Sequence, residues 1–416
     1  MLTEADCEAF DRADPLRSLR DRFAYPHSGP AGRDVVYLCG HSLGLMPLQS
    51  RDDVGSVLDA WASLGVEGHF DGADPWYRYD DALTPSMAAL VGATASEVSI
   101  MGTLTANLHH LFASFFHPAG RRTKILIEAT AFPSDRYAVA AQLRWHGLDP
   151  DEHLIEIVPD GAGLYDTDQF REVLATQGDA IALVWLGGVN YLTGEALDMA
   201  AVVDAGHRAG CLVGLDLAHA AGNVETRLHE WNVDFAVWCT YKYLNSGPGA
   251  VAAIFVHERH GDDPARLRLA GWWGNDPATR FEMPSAFVPV VGAPGWRMSN
   301  PPILSLAPLR ASLALFDEAG AARLRAKSVA LSTHVIERLT SVPAIEVLTP
   351  RDPARRGNQV SIRVPGDARS LEQTLRAGGI VVDARPPDVV RFAAAPMYNS
   401  AHDVWVLTET IRSLYD

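Results

Sequence analysis

The sequence predicts an α/β fold built on a largely parallel sheet. Between about residues 90 and 260, short apolar runs alternate with helical or loop segments. Strands that are apolar on both faces and separated by helices are typical of parallel sheets covered by helices. The predicted strands span residues 124–128, 153–158, 181–186, 211–217, 234–239 and 250–256. Binding sites in such sheets lie at the carboxyl ends of the strands, so functional residues are expected at that edge.

The regions around this sheet predict two further units. Apolar residues recur at helical spacing over residues 54–64, whereas residues 1–50 are mixed and loop-rich. The other predicted elements are helices at 105–116, 197–209, about 306–340, 370–377 and 403–415, and strands at 359–364 and 389–393. This order predicts a large α/β domain over residues 51–300 and a small α+β domain over 301–416. Residues 1–50 are expected to pack on the active site and the small domain.

Composition excludes several classes of function. The chain has 416 residues and a formal net charge of −16, which argues against binding a nucleic-acid backbone. Its four cysteines form no C-x-x-C pair, so neither a zinc site nor a disulfide framework is predicted, and reduced thiols in a cytosol fit best. The adjacent pairs His109-His110 and His229-Glu230 do not match metal-ligand spacing, so no metal is predicted. No signal peptide or bilayer-spanning run is recognisable, and a cytoplasmic enzyme is therefore expected.

A lysine in a glycine- and proline-containing loop is the first candidate functional residue. Lys242 stands between Tyr241 and Tyr243, after the strand predicted at 234–239 and before the one at 250–256. An isolated lysine on such a turn is usually an exposed structural residue. A lysine that binds a carbonyl group covalently has to reach a cleft, and a loop after a parallel strand provides that setting.

An aspartate at the end of the preceding strand is the second candidate. Asp216 closes the apolar run 211–217, where an unpaired buried carboxylate would be costly. It could simply cap the turn that follows. It could also face a cationic ligand atom, and a strand-end aspartate followed by a loop lysine is the arrangement that pyridoxal phosphate needs.

Two other segments are weak signals on their own. Small and hydroxyl residues at 102–105 open a predicted helix, whose exposed N–H groups would suit a phosphate, although threonine is common at helix starts. Phe132 follows the strand at 124–128, where its ring could belong to the core or stack on a planar heteroaromatic ring. Both segments gain weight only together with Asp216 and Lys242.

The chain resembles the kynureninases, which are fold-type-I pyridoxal-phosphate enzymes of the class V aminotransferase-like superfamily. The resemblance runs over nearly the whole chain, and its motifs are specific as an ordered set rather than singly. They are GHSLGL (40–45), LTANLH (104–109), FPSD (132–135), GVNYLTG (188–194), DLAHA (216–220), YKYLN (241–245), GWWG (271–274), RMSNPPIL (297–304), and Arg391 with YNSAHD (398–403).

The resemblance implies pyridoxal 5'-phosphate as cofactor and a role for each matching residue. Lys242, Tyr241 and Asp216 are the implied catalytic residues: Lys242 bears the cofactor and moves protons, Asp216 pairs with the ring nitrogen, and Tyr241 assists in acid–base steps. The implied cofactor-binding set is Leu104, Thr105, Phe132, Pro133, Ser134, Asp135, Asp216, His219, Tyr241, Lys242, Trp272 and Asn300. Within it, Phe132 stacks on the ring, and the phosphate end is held by Leu104, Thr105, Asp135 and Tyr241.

The resemblance also implies a substrate and an assembly. The reaction would be hydrolysis of the Cβ–Cγ bond of L-kynurenine or 3-hydroxy-L-kynurenine, which gives L-alanine plus anthranilate or 3-hydroxyanthranilate in tryptophan catabolism. The implied substrate-binding residues are Ser42, His69, Ser299, Asn300 and Arg391. Arg391 would bind the substrate α-carboxylate through two parallel hydrogen bonds. The enzyme would be a homodimer with shared active sites, in which the neighbouring subunit supplies Trp272 and Asn300.

Substrate preference and two departures from the family pattern remain open. His69, Ser299 and Asn300 resemble the set in relatives that favour the 3-hydroxy substrate, although His69 could equally be an ordinary loop histidine. Gly187 stands where relatives often carry a hydroxyl residue, so one cofactor contact is expected to be missing or supplied by water. His41 replaces an asparagine that often precedes the Ser-Leu-Gly motif.

Two alternative functions are weighed against this one. A cysteine desulfurase or class V aminotransferase would share the scaffold, but desulfurases usually carry a histidine before the lysine and a reactive cysteine late in the chain. Here Tyr241 precedes Lys242, and no cysteine follows Cys239. A binding protein that kept the fold and lost the chemistry would have no need for Lys242, Asp216 and Arg391 together.

Overall fold

The computed structural model describes residues 3–26 and 35–415, so residues 27–34 of the predicted N-terminal unit lie outside the described part. Its helices are α1 Glu4–Ala13, α2 Gln49–Leu64, α3 Tyr79–Leu90, α4 Leu104–Phe115, α5 Pro133–Trp145, α6 Pro150–His153, α7 Thr167–Gln177, α8 Met199–Arg208, α9 Glu258–Gly261, α10 Ile303–Ala319, α11 Ala321–Thr340, α12 Ala368–Ala377 and α13 Ala401–Tyr415. Its strands are β1 Phe23–Ala24, β2 Val36–Tyr37, β3 Met46–Pro47, β4 Val98–Ile100, β5 Lys124–Glu128, β6 Leu154–Ile157, β7 Ile181–Gly187, β8 Leu212–Asp216, β9 Phe235–Cys239, β10 Ala252–Val256, β11 Glu346–Val347, β12 Gln359–Arg363, β13 Ile380–Val381, β14 Asp383–Arg385 and β15 Val389–Ala393.

A seven-stranded sheet forms the centre of the molecule, in the order β4-β10-β9-β8-β7-β5-β6. The strands β6, β5, β7, β8 and β9 pair in parallel, which confirms the predicted fold class. Strand β10 is antiparallel to its neighbours because the loop that joins it to β9 contains no crossover helix. The short edge strand β4 was not predicted, since three residues give no periodic signal.

The strands form because their side chains are buried on both faces. All five residues of β9 and of β10 are buried, as the continuous apolar runs in the sequence predict. One apolar cluster covers one face of the sheet and includes Val184 and Leu215, whereas a second covers the opposite face and includes Leu183 and Trp185. This double burial makes the sheet a rigid base for the loops at its carboxyl edge.

The C-terminal part contains a four-stranded antiparallel sheet in the order β11-β12-β15-β14. The predicted strands at 359–364 and 389–393 and the helices at 370–377 and 403–415 are confirmed to within two residues. The single long helix predicted at 306–340 is wrong. It consists of α10 and α11, which are separated at Gly320, where the backbone takes the positive φ of 76° that glycine tolerates.

The N-terminal segment packs on this C-terminal part. Strand β2 pairs in parallel with β13, and Cys39 continues the contact as a bridge to Ala393. The carboxylate of Asp11 accepts hydrogen bonds from the backbone N–H groups of Ala401 and His402, at 2.7 and 3.0 Å, and so caps α13. The boundaries predicted at residues 50 and 300 stay predictions.

None of the helices in the described ranges is both long and apolar enough to cross a lipid bilayer. The four cysteines are all buried and unpaired.

Candidate active site

A cavity of about 350 Å³ opens at the carboxyl edge of the parallel strands. It is lined by His41, Ser42, Thr103, Leu104, Thr105, Glu128, Thr130, Phe132, Ser134, Asp135, Gly187, Val189, Asn190, Tyr191, Asp216, Ala218, His219, Tyr241, Lys242, Arg385 and Arg391. The cavity lies at the edge of the sheet where the site is expected, and residues far apart in sequence meet in it.

Lys242 lies in the loop between β9 and β10, with its Nζ 5.8 Å from the centroid of the Phe132 ring. The N-terminal segment packs directly on this loop, where the Gly44 N–H donates to the Tyr241 carbonyl at 2.9 Å. A Cβ on Gly44 would lie only 2.4 Å from the Lys242 carbonyl oxygen, so the close approach requires glycine. This contact brings His41 and Ser42 to the same cavity as the lysine.

Asp216 is the last residue of β8 and is 6% exposed. Its Oδ1 accepts a hydrogen bond from the Ala218 N–H at 2.7 Å, which is the turn-capping contact that the sequence also allowed. Burial raises the pKa of Asp216 and, together with the negative charge of Asp216, raises the pKa of Asp135 well above its usual range. Both pKa values are raised, that of Asp135 further, and the two neighbouring carboxyl groups therefore favour holding one proton between them.

This contact changes the expected place of Asp135. The resemblance assigned Asp135 to the phosphate end, whereas the structure places its carboxyl group against Asp216. Asp135 belongs to the first turn of α5, and that helix points its N-terminus at the strand end from which Asp216 projects. Sequence spacing could not reveal the contact because it depends on how α5 crosses the sheet.

The N-termini of α4 and α5 meet at another wall of the cavity. The hydroxyl oxygens of Thr105 and Ser134, one from each helix, are 2.8 Å apart. The N-cap residue Thr103 makes no side-chain hydrogen bond to the first turn of α4, so the N–H groups of that turn stay available. Two helix N-termini with hydroxyl side chains form an environment that favours an anion such as phosphate.

Arg391 projects from β15 and is 1% exposed. Its Nε donates to Asp383 Oδ2 at 2.8 Å, its Nη2 also donates to that carboxylate, and its Nη1 donates to the Tyr191 carbonyl at 2.5 Å. A guanidinium has five N–H donors, so these three bonds fix its plane and leave one N–H on each terminal nitrogen. Unused guanidinium N–H groups of this kind suit a carboxylate.

Two neutral histidines complete the wall near Arg391. Burial lowers the pKa of His41 to about 4 and that of His219 well below its usual range, with the nearby charges of Lys242 and Arg391 acting in the same direction. His41 Nε2 lies 3.6 Å from Asp383 Oδ2. Burial opposes ionisation of Asp383, but the nearby His41 ring and the charge of Arg391 outweigh it and lower the pKa of that carboxyl.

Several predicted residues do not line this cavity. Pro133 is the first residue of α5 and lies just beside it. His69 packs edge-on against Trp76 with the ring centroids 5.3 Å apart, and Ser299 and Asn300 are exposed. Trp272 is 39% exposed, and its indole N–H donates to the Arg280 carbonyl at 3.2 Å.

Sequence reasoning missed several side chains in or next to the cavity, among them Asp383 and Glu128. Asp383 was not considered because nothing in its sequence context marks a partner of Arg391. Glu128 closes the apolar strand β5, and a charged residue closing an apolar strand is the same signal that identified Asp216, so it could have been found.

The comparisons with known proteins agree with this geometry. A family model for the kynureninase C-terminal domain matches residues 324–411. The chain is 49% identical to a kynureninase of Xanthomonas campestris pv. campestris (strain B100), over 99% of this chain and 98% of the relative. It is 48% identical to a kynureninase of Myxococcus xanthus (strain DK1622), over 99% of this chain and 97% of the relative.

Solved structures show the same fold at low sequence identity. The apo cysteine desulfurase of Thermococcus onnurineus NA1 matches with a TM-score of 0.75 at 18% identity, over 96% of this chain and 97% of that one. A C-DES mutant with glycine covalently linked to its PLP cofactor matches with a TM-score of 0.74 at 18% identity, over 93% of this chain and 98% of that one. The near full-length identity to the two bacterial enzymes is far more specific than this shared fold, and it shows that the chain belongs to the kynureninase family.

Proposed function

We propose that this chain hydrolyses the Cβ–Cγ bond of kynurenines with pyridoxal 5'-phosphate as cofactor. L-kynurenine plus water would give L-alanine and anthranilate, and 3-hydroxy-L-kynurenine would give L-alanine and 3-hydroxyanthranilate. The observation that carries the proposal is the meeting of Lys242, Asp216 and Arg391 in one cavity, in a chain that is 49% identical to a kynureninase over nearly its full length.

The cavity fits the cofactor by the chemistry of its walls. Buried polar atoms without a partner face it from Asp135 Oδ1, Glu128 Oε2, His219 Nδ1 and both ring nitrogens of His41. Such atoms are costly unless a polar ligand satisfies them. The paired N-termini of α4 and α5 suit a phosphate, and Asp216 suits a protonated ring nitrogen.

Each residue then has a distinct task. When bound, pyridoxal phosphate supplies an electron-accepting ring that stabilises negative charge developing on the substrate. Lys242 holds the cofactor and moves a proton from the substrate Cα. Asp216 keeps the ring nitrogen protonated, and Phe132 would lie against the ring face. Burial raises the pKa of Tyr241, so its hydroxyl keeps its proton and can donate it near Lys242.

The basic wall orients the substrate. The two free N–H groups of Arg391 bind the α-carboxylate, while Asp383 holds the guanidinium in place. His41 and Ser42 border the same end of the cavity. Because His41 is neutral, it adds no charge to the carboxylate site and offers only hydrogen bonding.

A second copy of the chain would complete the site. The ring of Phe281 contacts those of Phe70 and Trp272, and the ring of His69 contacts that of Phe70. Phe70, Trp272 and Phe281 are 56, 39 and 51% exposed. An exposed aromatic cluster of this kind marks an interaction surface. It supports a homodimer in which Trp272, Asn300, His69 and Ser299 reach the partner's cavity.

Mixed dimers test this assembly. Lys242→Ala and the double variant Trp272→Ala/Asn300→Ala should each be inactive. After unfolding and refolding together, random pairing gives one intact site in half of the dimers, so about a quarter of the wild-type activity should return. No recovery on mixing, with both variants folded and dimeric, would contradict shared sites.

The basic assay follows release of the fluorescent aromatic product from kynurenine and 3-hydroxykynurenine. We expect product with both substrates and a higher kcat/KM for 3-hydroxykynurenine, whereas a clear advantage for kynurenine would overturn that preference. Lys242→Ala should abolish turnover and the visible absorption of the bound cofactor. Turnover that survives this change would contradict the proposed mechanism.

Alanine and cysteine assays separate the alternatives. An aminotransferase would transfer the amino group of alanine to the cofactor and release a 2-oxo acid. The amine form of the cofactor that stays on the enzyme is detected by its absorbance. A desulfurase needs a reactive thiolate, but burial raises the pKa of Cys39 to about 12 and also raises that of Cys239. We therefore expect no sulfide release from cysteine.

A further inference from the structure

A third carboxylate faces the cavity beside Asp216 and Asp135. Glu128 is the last residue of β5 and is 4% exposed. Its Oε1 accepts a hydrogen bond from the Gly187 N–H at 2.9 Å, and its Oε2 has no partner although it is buried. A buried oxygen left unsatisfied at the wall of a ligand cavity indicates a contact with the ligand.

The backbone at Gly187 explains how this carboxylate reaches the cavity. A Cβ at position 187 would lie 2.8 Å from Glu128 Oε1, closer than real Cβ contacts allow. The missing side chain therefore leaves the room that the Glu128 carboxylate uses. This is the position where the family resemblance led us to expect a hydroxyl side chain and a lost cofactor contact.

The surroundings of Glu128 favour its neutral form. Burial and, to a smaller extent, the charge of Asp216 raise the pKa of Glu128 to about 7. The hydrogen bond from the Gly187 N–H acts in the opposite direction. The other titratable groups near Glu128 are the carboxyl of Asp135, whose pKa is also raised, and the phenol of Tyr165, and Lys242 lines the same cavity. A neutral carboxyl group has an O–H that can donate a hydrogen bond.

We propose that Glu128 binds the cofactor, with Oε2 donating a hydrogen bond to an oxygen of pyridoxal phosphate in place of the side-chain contact that Gly187 cannot make. This inference rests on the proposed use of pyridoxal phosphate. Loss of the Glu128 proton removes the donor and places a second negative charge, beside that of Asp216, next to an anionic cofactor. Cofactor affinity should therefore fall as Glu128 ionises.

The test measures cofactor binding without substrate. Apo-enzyme is titrated with pyridoxal phosphate between pH 6 and pH 9, and the dissociation constant is read from the absorbance of the bound form. The wild type should lose about tenfold in affinity across this range relative to Glu128→Gln, since one unit of pKa change on binding corresponds to a factor of ten. Glutamine keeps both the acceptor for Gly187 and a donor, so it mimics the neutral glutamate at every pH.

Two further variants control for indirect effects. Glu156→Gln makes the same chemical change on the neighbouring strand β6, where Glu156 pairs with Arg136 at 2.9 Å outside the cavity, and it should follow the wild type. Glu128→Ala should bind about tenfold more weakly than the wild type at pH 6. Adding Gly187→Ser to Glu128→Ala should recover at least about threefold of that loss, because the serine hydroxyl then has the room that the carboxylate occupied.

The inference is overturned if wild type and Glu128→Gln change in parallel over the whole pH range, or if folded Glu128→Ala binds the cofactor like the wild type. Thermal unfolding of each apo-protein identifies variants that fail to fold. Kynurenine turnover distinguishes this result from the proposed function. Cleavage without the pH pattern contradicts only the role of Glu128, whereas the pH pattern without cleavage contradicts only the proposed reaction.

Discussion

Asp216 and Asp234 are both buried and lie at the two ends of the connection between the parallel strands β8 and β9, but their surroundings are opposite. Asp234, 1% exposed, accepts hydrogen bonds from the Val213 N–H, His207, Arg259 and His260 at 2.6–2.9 Å. Burial opposes its ionisation, yet these donors outweigh burial and lower the pKa of Asp234.

The Asp216 carboxylate has far fewer donors. It accepts the Ala218 N–H and shares a proton with Asp135, and burial raises its pKa. Asp234 lies at the amino end of β9 and Asp216 at the carboxyl end of β8. The chain itself supplies Asp234 with enough hydrogen-bond donors to satisfy its carboxylate. Asp216, at the cavity, can still accept hydrogen bonds from a bound molecule.

The largest expected effect separates the two aspartates by activity. Asp216→Asn should lower kcat/KM for kynurenine by about 10³-fold, because the amide cannot stabilise a protonated ring nitrogen. The apo-protein should not lose stability, since the change removes a poorly paired buried charge. Steady-state kinetics and thermal unfolding of the apo-form measure both. Near-normal turnover would show that Asp216 is as structural as Asp234.

The next largest expected effect is a loss of stability when Asp234, but not Asp216, is replaced. Asp234→Asn should lower the free energy of unfolding by about 3–5 kcal/mol, because it leaves Arg259 and two histidines without their shared acceptor. Activity per folded molecule should stay unchanged, since Asp234 does not line the cavity. Denaturant titration with activity of the folded fraction checks this. A stable but inactive variant would contradict the comparison.

Arg391 is intermediate between Asp234, which is fully hydrogen-bonded, and Asp216, which is not. Three of its five N–H groups donate to Asp383 and Tyr191, and two remain. Arg391→Lys should raise KM by about 10–100-fold with a smaller change in kcat, since an ammonium cannot replace a bidentate charge-assisted contact. Arg363→Lys is the matched control, because Arg363 lies on the adjacent strand β12, pairs with Glu346 on the surface and lies outside the cavity. Equal effects from both changes would contradict a direct role for Arg391.

The smallest predicted effect is the pH dependence of stability. A lowered pKa stabilises the fold above the unfolded value of 3.8, so the contribution of Asp234 is lost as pH falls below it. The raised pKa of Glu128 acts in the opposite sense, because the apo-protein loses stability as pH rises from 4.5 to about 7. Glu128→Gln should flatten that decline by about 1–2 kcal/mol. Unfolding curves of wild type and Glu128→Gln at pH 5 and pH 7.5 provide the measurement. An equal change in the free energy of unfolding between these two pH values in both proteins would contradict the raised pKa of Glu128.

The fold was predictable because its strands are buried on both faces. Part of the site was predictable because the carboxyl ends of parallel strands lie at one edge of the sheet. Apolar runs identified the six longer strands of the large sheet, and residues at their carboxyl ends, such as Asp216, could be assigned to one edge. The break at Gly320 was missed because a helical pattern on both sides of a glycine gives no signal of a change in direction.

Contacts between side chains on different helices and strands could not be predicted from the sequence. The pairing of Asp135 with Asp216 depends on the crossing of α5 over the sheet, and the pairing of Asp383 with Arg391 depends on the register of β14 and β15. Trp272 and Asn300 are exposed and do not line the cavity, which their sequence context did not indicate.

The pairing of β2 with β13 has a consequence for synthesis of the protein. His41 and Ser42 follow β2, but Arg391 and β13, the strand that pairs with β2, are translated much later than the large sheet. The large sheet can form while translation continues, because its strands are contiguous in the chain. The part of the cavity formed by His41, Ser42 and Arg391 cannot form until β13 and β15 have been translated, so a chain that stops before them would hold a folded sheet with an incomplete cavity.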